Sequence, residues 1–104
     1  MISFEDFKKI DLKVGEVKEV TDLEEANSLY KVIVDLGDEE RQLLAGLKKY
    51  YEKEDLEGKQ VVIVANLEPK SMFGEESQGM LLAVGDEARL LTVDEEVENG
   101  SEVS

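Results

Sequence analysis

The chain has no cysteine, no histidine and no tryptophan, and a single proline among its 104 residues. Those absences remove thiol nucleophiles, Cys/His zinc sites, Ser-His-Asp triads and imidazole acid-base chemistry together. Glycine patterns of the G-x-G-x-x-G or G-x-x-x-x-G-K-S/T type, which cradle phosphates in nucleotide hydrolysis, are also missing. Only carboxylates, lysines, hydroxyls and amides remain, so the chain is expected to be no enzyme and to carry no cofactor. No apolar span long enough to cross a membrane occurs, and Met1 opens into Ile2-Ser3-Phe4-Glu5-Asp6 with neither a basic nor an apolar leader region. A soluble cytoplasmic protein off the membrane is the expectation. The acidic run Asp35-Leu36-Gly37-Asp38-Glu39-Glu40 lacks the ligand spacing of a calcium loop and reads as a solvated hairpin tip, so no metal is expected. The length suits one domain, residues 1–104, with a modest core and no second catalytic lobe.

Positive charge is scarce as well. Twelve basic residues face 26 acidic ones, for a net charge of −14. Nucleic-acid binders ordinarily carry a basic footprint, so composition by itself argues against a polyanionic ligand. The acidic tail is not the whole cause: residues 1–85 still hold nineteen acids against eleven bases. An acidic chain can hold a polyanion where its lysines gather on one face, with a long-range attraction that is weak and salt-sensitive.

What is present reads as a small β protein. Ser3 caps a short helix, with Phe4, Phe7 and Ile10 on one face. Leu12, Val14, Val17 and Val20 form a first strand whose apolar phase shifts at Gly15-Glu16, the mark of a bulge at a barrel corner. After a polar loop from Thr21 to Ser28, the alternation from Tyr30 to Leu36 and the partner Arg41 to Ala45 make a hairpin around Gly37-Asp38. Lys48 to Glu57 reads as a helix between the third and fourth strands; Lys48-Lys49-Tyr50-Tyr51-Glu52-Lys53 interleaves bases with aromatics as a single-strand binder does, but the spacing of Leu47, Tyr50 and Tyr51 with Leu56 favours inward packing. The run Val61-Val62-Ile63-Val64-Ala65 reads as a strand covered on both faces and Met80-Leu81-Leu82-Ala83-Val84 as another strand, after which Gly85-Asp86 turns into Arg89 to Val93. The tail from Asp94 is expected to fray. An all-β, five-stranded Greek-key barrel of the OB-fold type follows, with short helices at the N-terminus (residues 1–10) and between strands 3 and 4. A C-terminal β extension (residues 86–104) completes it.

Between the Val61 and Met80 runs, Asn66-Leu67-Glu68-Pro69-Lys70-Ser71-Met72-Phe73-Gly74-Glu75-Glu76-Ser77-Gln78-Gly79-Met80 spends fifteen residues on punctuation. It is expected to be a shaped excursion rather than a tight hairpin. With Asp11-Leu12-Lys13-Val14-Gly15 and Ala45-Gly46-Leu47, it resembles in order the pattern D-L-R/K-V-G, H-P-x-A-D-K-L-Y, S-G-L, N-L-K-P-x-K-x-x-G-x-x-S-Q-G-M. That pattern belongs to the tRNA-binding module of the OB-fold class, found as the C-terminal domain of some methionyl-tRNA synthetases and as free-standing tRNA-binding proteins. The resemblance runs along most of the chain. It implies non-catalytic, shape-dependent tRNA binding that assists a synthetase, methionyl-tRNA synthetase first, and a homodimer formed through the terminal segments. It also maps tRNA-binding positions onto Asn27, Asn66, Lys70, Ser77 and Met80.

The residues themselves leave two readings open. Asn66 and Ser77 offer hydrogen bonds to ribose, phosphate or base edges, Lys70 offers charge and Met80 a soft surface for an unstacked base. Equally, Asn66 could cap a strand end, Ser77 stabilise a turn and Met80 enter the core. Lys13, Lys31 and Arg41 are candidate phosphate contacts from adjoining strands, or else ion-paired surface residues. Glu24-Glu25, Ser28 and Glu68 stand where the pattern has His-Pro and two lysines, so expected positive charge is lost. A peptide-binding export chaperone from a sister branch of the same barrel family, similar at Phe4-Glu5-Asp6-Phe7 and Asp11-Leu12-Lys13-Val14-Gly15 but lacking Ser-Gln-Gly-Met, is the alternative. An assembly module without RNA binding is the reading the charge favours.

Overall fold

A computed structural model describes residues 1–104. In chain order the elements are α1 (Phe4–Phe7), β1 (Leu12–Asp22), β2 (Tyr30–Asp35), β3 (Glu40–Ala45), α2 (Lys53–Leu56), β4 (Gln60–Val64), β5 (Lys70–Met72), β6 (Glu75–Ser77), β7 (Met80–Leu81), β8 (Ala83–Val84) and β9 (Arg89–Leu90). Five of them form one antiparallel sheet in the order β3-β2-β1-β4-β7. The long β1 pairs with β4 through Leu12 to Glu16 and with β2 through Glu16 to Asp22, so it bends around the barrel as the sequence predicts.

The alternation along β2 sends Tyr30, Val32 and Val34 inward, where they meet Val17, Leu43, Val61 and Ile63 in one apolar cluster. Polar partners on the outer face follow from the same register, with Lys31 beside Leu44 and Ile33 beside Gln42. At one end α2 inserts fully buried Leu56; Glu52 and Asp55 form its capping box, which anchors this single turn.

Five expectations need correction. The bulge lies at Lys18, between Val17 and Glu19, not at Gly15-Glu16. Gly15 serves close packing instead, because a Cβ there would strike Val34 and Leu36. The helix expected over Lys48 to Glu57 shrinks to Lys53–Leu56, and of the two tyrosines only Tyr51 packs on the core while Tyr50 is exposed. The Met80 run is interrupted at Leu82, giving the sheet only Met80–Leu81 and passing Ala83–Val84 to a separate ribbon with Arg89–Leu90. Finally, the tail does not fray. Val14 N–H donates to Ser101 O at 2.9 Å, Gly100 N–H to Val14 O at 2.6 Å and Val103 N–H to Leu12 O at 2.9 Å, so residues 100–103 close part of the β1 edge. No helix is long and apolar enough to cross a membrane.

Candidate nucleic-acid interface

The loop after β4 contains a tight hairpin, contrary to expectation. Lys70 pairs with Ser77, Ser71 with Glu76 and Met72 with Glu75, around a turn of Phe73 (φ 53°) and Gly74 (φ 78°). Two consecutive positive φ values give the turn whose twist matches an antiparallel ribbon.

This ribbon is sewn onto the edge of β3 by side chains doing the work of a strand. Leu44 N–H donates to Ser77 Oγ at 3.0 Å, and that hydroxyl donates to Gly79 O at 3.1 Å. Gln42 N–H donates to Gln78 Oε1 at 3.1 Å, its side-chain amide to Glu76 O at 2.9 Å, and Gln78 N–H returns to Gln42 O at 2.8 Å. Arg41, held by Glu39, donates to Ala65 O at 2.6 Å and Gln78 O at 3.1 Å, bridging both roots of the excursion. Gly79 completes the seam at φ 150°, where a Cβ would lie 2.8 Å from Val64 O. Ser-Gln-Gly therefore closes the barrel between β3 and β7, and its hydrogen-bonding atoms face inward.

At the foot of the ribbon lies a groove of ≈ 440 Å³ lined by Leu44, Leu67, Lys70, Met72, Gly79 and Met80, with Glu68 and Ser77 beside them. Met80 is 49% exposed, so it forms this floor rather than entering the core. The structure thus brings Lys70, Ser77 and Met80 together, with Lys31 nearby through its ion pair to Glu75 at 3.4 Å. Ser77 is 7% exposed and its hydroxyl is fully used.

Other candidates lie elsewhere or are occupied. Asn66 clamps α1 to the end of β4, accepting from Asp11 N–H at 2.8 Å and donating to Lys9 O at 2.7 Å. Lys13 sits at a cleft with Gly37, Asp38 and Glu98–Ser101, paired with Asp11 at 3.7 Å. Asn27 is exposed in the turn between β1 and β2. Lys48 and Lys53 converge on Asp22 at 3.1 and 2.8 Å, and their donated protons hold its carboxyl below the usual range, Lys53 contributing most. Burial raises the Tyr30 hydroxyl, which donates to Tyr51 O at 2.8 Å. Sequence reasoning missed Gln42, Gln78, Leu67 and Met72, whose roles appear only once the ribbon is docked on β3.

A family model described as "Putative tRNA binding domain" matches residues 12–102, most of the chain and the whole seam. The chain belongs to this tRNA-binding domain family. Over 104 residues it is 58% identical to a methionine–tRNA ligase of Thermococcus kodakarensis, covering 98% of this chain but 14% of that protein. Its fold superposes on a MetRS-related protein from Pyrococcus horikoshii with TM-score 0.90 and 38% identity, covering 100% and 98% of the two chains. It matches the chaperone CsaA of Bacillus anthracis with TM-score 0.92 and 33% identity, covering 100% and 99%. As a tRNA-binding domain of the nearly closed OB-like barrel type, it corresponds to a small part of the synthetase relatives and not to a catalytic unit.

Proposed function

We propose that this domain binds folded tRNA by shape, through the β5–β6 ribbon, the adjoining groove and the outer face of β2 and β3, and performs no chemistry itself. The observation that carries the reading is the match to methionine–tRNA ligase over nearly the whole chain, with the Ser-Gln-Gly-Met seam intact. Its role is to raise the effective concentration of tRNA at a methionyl-tRNA synthetase in the cytoplasm. Met80 and Lys70 supply contact, and Lys31 joins them by exchanging Glu75 for a phosphate. Ser77, Arg41 and Asn66 act by holding the surface in place, while Lys13 and Asn27 offer peripheral contacts.

A homodimer belongs to the same reading. Phe4, Ile10 and Val103 are exposed along a cleft of ≈ 410 Å³ between α1 and the C-terminal tail, and Met1 and Ile2, just ahead of α1, are exposed as well. An apolar surface of this kind favours covering by a second copy. Gel shift of unfractionated folded tRNA at roughly 50 and 200 mM salt tests the function, because phosphate contacts weaken with salt. A complex with folded but not unfolded tRNA supports it; no complex at either salt refutes it. The likeness to CsaA favours a second reading, a chaperone that takes unfolded polypeptide in the same groove. Suppression of aggregation of an unfolded protein by this domain, without tRNA binding, would select that reading.

A further inference from the structure

The ribbon ends in an aromatic ring that the fold does not use. Phe73 is 50% exposed and is absent from the side chains packed on the core. It also occupies a turn position, φ 53°, where asparagine, aspartate or glycine is ordinarily favoured and a bulky residue is an outlier. The arm beneath it is pinned at both roots by Arg41 and along one side by Gln42 and Leu44. A ring held outward on a fixed arm, against local preference, is placed for a partner.

The chemistry nearby identifies that partner. Three residues back along the ribbon, about 10 Å at strand rise, stands Lys70. Eight other basic side chains are ion-paired with carboxylates, but Lys70 is not. A π-face with a free ammonium one short step away matches a base and an adjacent phosphate. The connection preceding the last barrel strand is also a place where OB-type barrels take oligonucleotides. Glu76 lies on the same ribbon and Glu68 beside the groove, so long-range attraction is poor and stacking, which needs no net charge, becomes the more useful contact.

We infer that Phe73 is a stacking finger for one unpaired base of bound tRNA, with Lys70 on a neighbouring phosphate. This rests on the tRNA-binding reading above. Because the chain has no tryptophan, Phe73→Trp installs a single indole at the tip, excited at the red edge of its absorption where the three tyrosines do not contribute. Titration with unfractionated folded tRNA is expected to quench its emission with the same midpoint as a gel shift. Phe73→Asn keeps a residue suited to positive φ while deleting the ring. It should retain the wild-type thermal midpoint yet lose about 5- to 150-fold in tRNA affinity, the range for one base stacked on an aromatic. Equal binding by wild type and Phe73→Asn, with unchanged emission from the tryptophan variant, would overturn the finger and leave the tRNA reading standing. Absence of tRNA binding by the wild type would overturn both. A blue shift with unfolded polypeptide but not with tRNA would assign the tip to peptide instead, and a concentration-dependent shift without either would assign it to self-association.

Discussion

Removing one hydroxyl separates a seam from a contact. Ser77 Oγ accepts from Leu44 N–H at 3.0 Å and donates to Gly79 O at 3.1 Å, in a side chain only 7% exposed. Ser77→Ala leaves the Leu44 amide without its acceptor at the edge of β3, and an unmade hydrogen bond in such a place costs about 1–3 kcal/mol. Against a total stability of about 5–15 kcal/mol for a domain of this size, that is a large share. At about 4–8 °C per kcal/mol, the thermal midpoint should fall by roughly 4–24 °C. Urea unfolding would give the difference directly, as a lower midpoint at unchanged slope. Amide exchange should show Leu44 losing protection while Val32 keeps it. At a temperature where the variant remains folded, tRNA affinity should fall far less than for Met80→Ala, whose side chain is half exposed on the groove floor. The opposite result, unchanged stability with binding abolished, would show that the hydroxyl meets RNA and would refute the seam.

Further outcomes follow from the same geometry. Leu56→Ala, deleting the one buried side chain of α2, should cost about 2–5 kcal/mol in denaturant unfolding. Asp22 has its carboxyl held below the ordinary value of 3.8 by Lys53 and Lys48, so the resulting stability is fully present above that value and disappears as pH falls through the lower folded-state value. The stability difference between wild type and Asp22→Asn should therefore be flat above pH 4 (roughly) and shrink below it, as seen in acid titrations of the unfolding midpoint. Phe4→Glu, at a position 73% exposed, should leave the circular dichroism of the folded chain unchanged while sedimentation equilibrium shifts from two chains to one and the thermal midpoint loses its dependence on protein concentration. With two or three ammonium groups engaged, tRNA affinity should drop about 10- to 40-fold between 50 and 200 mM salt, against the about 10³–10⁵ of a binder with six to ten phosphate contacts.

The elements carried by side-chain periodicity were legible. β2 buries every second residue as its alternation demands, β4 is the continuous apolar run of a strand covered on both faces, and Ser3 accepts from Asp6 N–H as its cap. The ribbon was not legible, because its strands are three residues each and its turn carries Phe73 where a turn-former is expected. The docked tail was hidden for another reason: its bonds to β1 are between backbones nearly ninety residues apart and leave no mark on residue type. Candidate site residues fared by the same logic. Charge and polarity located Arg41, Asn66 and Ser77 as special, but the partners that give them their jobs are distant carbonyls and amides, such as Ala65 O and Leu44 N–H.

The charge that by composition opposes RNA binding takes a different meaning once its partners are known. Eight of the twelve basic side chains rest on carboxylates, so no broad basic face offsets the charge of −14. A random RNA approaching such a surface meets repulsion with little to oppose it, which lowers non-specific binding. On the proposed reading, a folded tRNA that fits the ribbon and groove would gain contacts that do not depend on net charge: the leucine and methionine floor, an aromatic face and the Lys70 ammonium. Affinity is sacrificed in both cases, but more from the wrong ligand than from the right one. On the proposed reading the acidic surface would act as a filter in favour of shape, and replacing exposed acids away from the groove by lysine should then tighten binding to unfolded RNA more than binding to folded tRNA.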